Sequence, residues 1–485
     1  MKTMLIAAAL TAIAAAQPPT CQGVKIQPGA EIQDIVAPHP PGTTYCVTSG
    51  TYRLTKTITL KRGDKLIGGL PKPVLNGAKL IAEWKPQGNT WMATRQTQRS
   101  ELSWRPNFPE IADPTAQYNE DVFIDDKPLR RVLSLAEVQP GSFFFDYDQA
   151  AIYIADNPAG HRVECGATEN AVVTHSDDVT IQGLIIEKYT VSGVSANSAL
   201  VEDNEVRYVH GSGIRFGSHA RILHNFAHHN GKYGMNGSGE SPLIEGNELA
   251  YNNAARYRTK KGGGCWDAGG TKFVYSNHLV VRNNYSHNNY CDGFWSDIDN
   301  INTIYENNRI ENNWRHGIFL EIGYAAVVRN NHIKGNMAAG IYLNSTGDQD
   351  IYNNIIEDNG VGTPEWLPIL DVLRGGILIV QQKRGEGKFG EHLANNNHVH
   401  DNTIRMAAGL TGPTKAQGNA AVSTQHNVFN NNHYVVPDLA GKWWSGEDGP
   451  LSWTQWQKSG QDTEGTVGQA IAVCGLPGCA AAVWK

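Results

Sequence analysis

Long apolar segments are missing from this chain of 485 residues beyond its first few positions. Met4 to Ala14 is apolar but too short to span a bilayer, and no later run is longer, so no membrane span is expected. Charge is also sparse. Charged residues make up 18 %, with 41 Lys and Arg against 47 Asp and Glu, and the net charge is −6 with a pI near 6.3. The single basic cluster is the short stretch Arg256, Arg258, Lys260, Lys261. That balance excludes nucleic acid as the main partner. The seven cysteines form no CxxC pair and no Cys/His spacing of a zinc site. No dense group of aspartates suggests calcium. No metal and no cofactor are therefore expected. Helical hairpins are absent as well: the apolar runs are too short and too rich in Gly and Asn to build them.

What is present is a repeat. Asn288-Asn289-Tyr290-Cys291-Asp292-Gly293-Phe294-Trp295-Ser296-Asp297 aligns with Asn312-Asn313-Trp314-Arg315-His316-Gly317-Ile318-Phe319-Leu320-Glu321. Both align with Gly335-Asn336-Met337-Ala338-Ala339-Gly340-Ile341-Tyr342-Leu343-Asn344. The shift is 24 residues, then 23, and an Asn pair closes each row: Asn307-Asn308, Asn330-Asn331, Asn353-Asn354. A repeat of that length marks a solenoid. After each glycine the residues alternate with period two, which means strand. The fold class expected is all-β, a parallel β-helix, with equivalent residues stacked about 4.8 Å apart along the axis. The repeated Asn has two uses there: its amide can bond the next coil, and Asn tolerates the left-handed backbone of a tight turn.

Met1 to Ala16 reads as a secretory signal peptide, with Lys2 at its positive end and Ala14-Ala15-Ala16 as a small-residue cleavage site. A secreted or periplasmic location follows. In an oxidising compartment Cys21–Cys46, Cys265–Cys291 and Cys474–Cys479 are compatible disulfides, leaving Cys165 over, although spacing does not fix the pairing. Residues 17–82 read as the N-terminal cap and first coils. Residues 83–164 lose the register and read as an inserted β-rich module, with Trp84, Trp91, Trp104 and short runs such as Val122-Phe123-Ile124. The register returns over 165–436. Residues 437–485 lose it again and should cap the open end. A monomer is expected.

The alternation also sorts side chains. Phe294, Ile318 and Ile341 point inward. Trp295, Phe319 and Tyr342 point outward, as do Asp297, Glu321 and Asn344. Asp297 and Glu321 thus become neighbours on adjacent coils of one exposed face, flanked by an aromatic column. Asp299 joins them if its strand continues two residues further. Trp266, one coil earlier, is expected in the column of Trp295, with Asp267 as a third acid or a turn residue and Lys272 as a partner of an acid or a hydroxyl. Arg315 and His316 sit in the turn entering the Glu321 strand, where His316 is either solvated or a ligand contact. Two adjacent carboxylates beside sugar-sized aromatics point to carbohydrate chemistry.

These features together resemble a known group. The Gly–strand–Asn-Asn coils, the export signal and the module running from Val122-Phe123-Ile124-Asp125-Asp126 through Pro140-Gly141-Ser142-Phe143 to Tyr153-Ile154 are similar to secreted right-handed parallel β-helix enzymes acting on polysaccharides. The resemblance is closest to β-helical glycoside hydrolases of the β-xylosidase type, and it covers most of Gly23 to Gln457. It implies a right-handed helix and an Asp and a Glu on adjacent coils. On that resemblance Asp297 (or Asp299) is the nucleophile and Glu321 the acid/base of a retaining glycoside hydrolase. Trp266, Asp267, Lys272, Trp295, His316, Tyr342 and Asn344 are the residues expected to bind a polysaccharide or oligosaccharide. Two alternatives stay open. A polysaccharide lyase or uronate epimerase would use Lys or Arg as base and cations to neutralise the uronate. A non-catalytic carbohydrate-binding surface protein would not need two adjacent acids.

Overall fold

In a computed structural model, residues 21–100, 112–258, 265, 267–362, 374–414, 426–446 and 449–470 are described. The expected signal peptide, Trp104, Trp266, Lys260, Lys261 and the pair Cys474 and Cys479 lie outside them. The chain is a right-handed parallel β-helix. Three sheets of 13 strands each run its length, and successive strands of the chain pass from one sheet to the next, so strands adjacent within a sheet come from successive coils. The three registered glycines, Gly293, Gly317 and Gly340, stack coil on coil, each so close to the carbonyl of the next that a Cβ would not fit.

The inward set forms one continuous core. Phe294, Ile318 and Ile341 belong to it with Phe273, Tyr305, Val328 and Ile351. Burial of such side chains, each worth about 1.5–3 kcal/mol, holds the coils together. Between the sheets the Asn pairs divide the two tasks that Asn can perform. The first member takes the left-handed turn: Asn307 (φ 55°), Asn330 (φ 55°) and Asn353 (φ 52°). The second builds a buried ladder. The Asn308 amide donates to Asn331 Oδ1 at 2.9 Å and Asn331 donates to Asn354 Oδ1 at 2.9 Å, while each also reaches a backbone carbonyl. A second ladder runs through Asn289, Asn313, Asn336 and Asn359.

Between Ala78 and Gly166 the chain leaves the three sheets. It forms a four-stranded and a five-stranded sheet of its own, packed around Phe143, Phe145, Ile152 and Cys165. A buried charge cluster joins these sheets to the solenoid, where Lys188 pairs with Asp126 and Glu164. Cys21–Cys46 and Cys265–Cys291 are disulfide-bonded, and Cys165 is buried as a free thiol. No helix among the described residues is long and apolar enough to cross a membrane.

Candidate active site

The outward face of one sheet carries the acids. Its register runs Arg215, Asn236, Lys272 on successive strands. Pairing of Phe273 with Ser296 sets Lys272 beside Trp295, and Trp295 pairs in turn with Phe319, Tyr342 and Leu378. Two positions along, Val274, Asp297, Glu321 and Asn344 form a parallel column, since Val274 pairs with Asp297, Ser296 with Leu320, and Glu321 with Asn344. Asp297 and Glu321 are therefore on adjacent rungs, which places their backbones about 4.8 Å apart.

Around this pair the charges alternate in sign. Lys232 Nζ lies 2.9 Å from Asp267, whose other oxygen accepts the Tyr233 hydroxyl at 2.5 Å. Lys272 Nζ bridges Asp267 at 3.1 Å and Asp297 at 2.8 Å, and also sits 3.8 Å from the centre of the Trp295 ring. Glu321 accepts the Trp295 indole N–H at 3.2 Å and is paired with Arg384. Burial and the neighbouring Asp297 carboxylate push the Glu321 carboxyl up to about 7, outweighing the opposing pull of Arg384, Arg315 and Lys272. Lys272 moves the other way from what burial favours, because Asp297 and Asp267 hold its proton. Burial lowers Lys232, with Lys272 and Arg215 adding to the effect.

Several expectations need correction. The aromatic column does point away from the core, but it is not open. Trp295, Phe319 and Tyr342 are buried and form a second apolar cluster with Leu378, Val380 and Ala339. Trp295 stacks on Phe319 at 5.4 Å, and Phe319 meets Tyr342 at 4.9 Å. These rings pack on one another, which leaves little face for a sugar. The alternation says which side a residue takes and nothing about what covers it. The rung below Trp295 belongs to Lys272; Trp266, expected in that column, lies outside the described residues. Asp299 does not extend the acid column. The strand ends at Asp297, and Ile298 (φ 41°) and Asp299 (φ 55°) turn left-handed. Asp299 instead accepts from His392 Nε2 at 2.9 Å and from the Lys388 N–H at 3.1 Å, which anchors the segment that carries Arg384. His316 is not solvated. It is fully buried and stacks on Tyr342 at 4.4 Å. Burial and Arg315 hold it far below the ordinary histidine range. Its Nδ1 accepts the Ala339 N–H at 3.1 Å, so the proton of the neutral ring sits on Nε2, which has no hydrogen-bond partner among the described residues. Asn344 flanks Glu321 and accepts the Ser345 hydroxyl.

Sequence reasoning missed Lys232, Tyr233, Arg215 and Arg384. Lys232 stands two residues before the stacked Gly234, as Arg315 does before Gly317, so the repeat does hold a signal for it. Arg384 lies in an irregular segment after the Gly375–Val380 strand and has no such signal. Among the described residues one further group could hold a metal: Asp350, His398 and His400, with ligand atoms within 4.8 Å of one another. It belongs to a different sheet from the acid pair.

Comparison with known proteins agrees with this architecture. The family model described as "Right handed beta helix region" matches residues 189–361. By sequence the chain matches no curated protein. Among solved structures it is similar to XylC in complex with xylose, with 13% identity, 90% of this chain and 82% of that chain covered, and a TM-score of 0.61. It is also similar to a protein described as a glycoside hydrolase (11% identity, 87% and 92% covered, TM-score 0.45) and to the A-module of the Azotobacter vinelandii mannuronan C-5 epimerase AlgE6 (14% identity, 90% and 93% covered, TM-score 0.49). At such identities the likeness is one of fold, a right-handed β-helix.

Proposed function

We propose that this protein is an extracytoplasmic glycoside hydrolase that works with retention of configuration, with Asp297 as nucleophile and Glu321 as acid/base. The observation that carries this reading is the environment of Glu321. A carboxyl lifted to about 7 beside a second carboxylate is the division of labour that glycoside cleavage needs. Lys272 faces Asp297 rather than Glu321, which favours Asp297 as the member that attacks. Glu321, protonated, would give its proton to the leaving oxygen as the bond breaks, and would then draw a proton from water to release the sugar. Adjacent rungs match the short carboxyl separation of about 5–5.5 Å used for a covalent intermediate. The structural relative with bound xylose supports a sugar ligand for the shared fold.

A polysaccharide lyase or epimerase is the second reading, and one observation favours it. Burial lowers the pKa of Lys232, which shares Asp267 with the Tyr233 hydroxyl, so a base and a second proton carrier meet at one carboxylate. Product analysis separates the two: hydrolysis leaves a saturated sugar, elimination an unsaturated uronate that absorbs in the ultraviolet.

The test is a glycan screen followed by two variants. Glu321→Gln should slow cleavage by about two to four orders of magnitude for poor leaving groups and spare the first step for an activated aryl glycoside. Asp297→Asn should slow every substrate. Asp299→Asn, as a control, should act only through the segment it anchors, with a smaller loss. Full turnover by both Asp297→Asn and Glu321→Gln would move the active site elsewhere. Net inversion in an anomer-resolved product trace would overturn the assignment of a nucleophile.

A further inference from the structure

The groove beside the acid pair carries charge that the proposed chemistry does not use. It has a volume of about 690 Å³ and lies on the Lys272 side of Asp297, lined by Arg215, Lys232, Tyr233, Asn236, Asp267 and Lys272 among others. Lys232 and Lys272 share Asp267, and Lys272 also faces Asp297. Three cations thus meet two carboxylates. The unmatched one is Arg215. It is exposed and has no ion-pair partner among the described residues. Its guanidinium is permanently charged and presents a fork that fits a carboxylate. One rung nearer to the acids, Asn236 Oδ1 is shielded from water and accepts no hydrogen bond among the described residues. A buried acceptor without a donor costs about 1–3 kcal/mol; Asn236 is half-buried at the groove wall, and a turn of its amide into the groove would let a ligand hydroxyl recover that cost.

We infer that this groove is a subsite for an acidic saccharide, in which Arg215 binds the carboxylate of a uronic acid and Asn236 accepts one of its hydroxyls. The inference rests on the reading of Asp297 and Glu321 as the place where the glycosidic bond is broken. Arg215, Asn236 and Lys272 occupy successive strands about 4.8 Å apart, and a sugar ring with its linkage covers about one such step. A chain entering along the column would set one ring over Asn236 and Lys272, next to the bond being cleaved, and its neighbour over Arg215. A carboxylate there completes the charge balance of the face. A neutral sugar would leave Arg215 unmatched.

Calorimetric titration tests this with short oligouronides of galacturonic, glucuronic and mannuronic acid. The same oligosaccharides after carboxyl reduction serve as matched neutral ligands. Glu321→Gln protein keeps them intact during the measurement. At least one oligouronide should bind about tenfold or more tightly than its reduced form, and the preference should shrink in 0.5 M salt, roughly as expected for an exposed ion pair. Arg215→Gln should erase the preference while leaving binding of the reduced ligand unchanged, and Arg215→Lys should restore part of it. Arg215 is exposed, so both variants should fold, and an unchanged melting temperature checks this. Equal binding of charged and reduced ligands, or a preference that survives Arg215→Gln, would overturn the inference. If oligouronides bind as expected but wild-type protein cleaves none of them, the catalytic reading fails and the subsite stands. Cleavage confined to neutral glycans would instead leave the acid pair standing and remove the subsite.

Discussion

Glu321 is held by opposing forces. Its alternation in sequence puts it on the outer side of the sheet, its rung puts it beside Asp297, and its neighbours then strip it of water. A carboxyl normally loses its proton near 4.5; this one keeps it to about 7. Two consequences follow, of different kinds. Acid catalysis by Glu321 should fall as pH rises through about 7, so the alkaline limb of the rate profile belongs to the coupled pair. Stability should move in the same direction. Between about 4.5 and 7 the folded chain binds more protons at this site than the unfolded chain, so the free energy of unfolding falls as pH rises across that window. The loss is on the order of 3 kcal/mol once both states are ionised. Glu321→Gln should therefore melt higher than wild type at pH 8, with the difference vanishing near pH 4.5. A variant equally stable at both pH values would mean that Glu321 ionises normally. Much of this site is legible from the sequence, because period two plus a 24-residue shift is enough to pair Asp297 with Glu321. Burial is not. Trp295 and Tyr342 are covered by residues such as Leu378 and Val380, which lie on a coil whose spacing departs from the repeat.

The coil shows how the sequence divides labour between neighbouring residues of one kind. Asn307 and Asn308 are adjacent and chemically identical, yet they do different work. Asn307 supplies a left-handed turn, which glycine would supply equally well and alanine at a cost of about 1–2 kcal/mol. The Asn308 side chain is buried in the ladder. It donates to Val281 O and Asn331 Oδ1, and its own oxygen accepts from both nitrogens of Asn284. Asn308→Ala would orphan those Asn284 donors and the Val281 carbonyl in a dry interior, with a loss of about 2–4 kcal/mol. Chemical denaturation should rank the variants with Asn307→Gly near wild type, Asn307→Ala below it and Asn308→Ala lowest. Equal losses at the two positions would mean that the ladder contributes nothing beyond the turn. The pairs are visible in the sequence. Which member turns and which bonds is a matter of backbone geometry, and that becomes clear only when the coils are stacked. The segment that carries Arg384 is the opposite case. It is fixed to the solenoid by Asp299, His392 and Tyr324 through contacts between residues far apart in sequence, and no local pattern announces them.

A stack of coils has two ends, and the molecule must close each without offering an edge to another chain. At the start, the short helix Ile32–Val36 lays Ile32 and Val36 on the first coil. At the far end a single carboxylate finishes the ladder. Asp462 is fully buried, and its oxygens accept from the Asn432 backbone N–H, the Asn432 amide, the Tyr434 hydroxyl and the Trp456 indole. Trp456 comes from the short helix Trp453–Lys458, whose start is capped by Ser452 and Gln455, so this one residue ties the ladder, the core and the cap together. Asp462→Ala would leave four buried donors unmatched, a loss of about 3–5 kcal/mol. In a quasi-one-dimensional stack each coil touches only its neighbours, so that loss should stay local. Amide exchange should then quicken in the last coils, around His398–His400, Thr403–Met406 and His433–Val436, and remain slow around Phe294–Asp297 and Ile318–Glu321. Turnover at a temperature below the first transition should be close to wild type. Exchange that quickened uniformly along the chain, with turnover lost in step, would mean that the solenoid unfolds as one unit and that the acid pair depends on a cap many coils away.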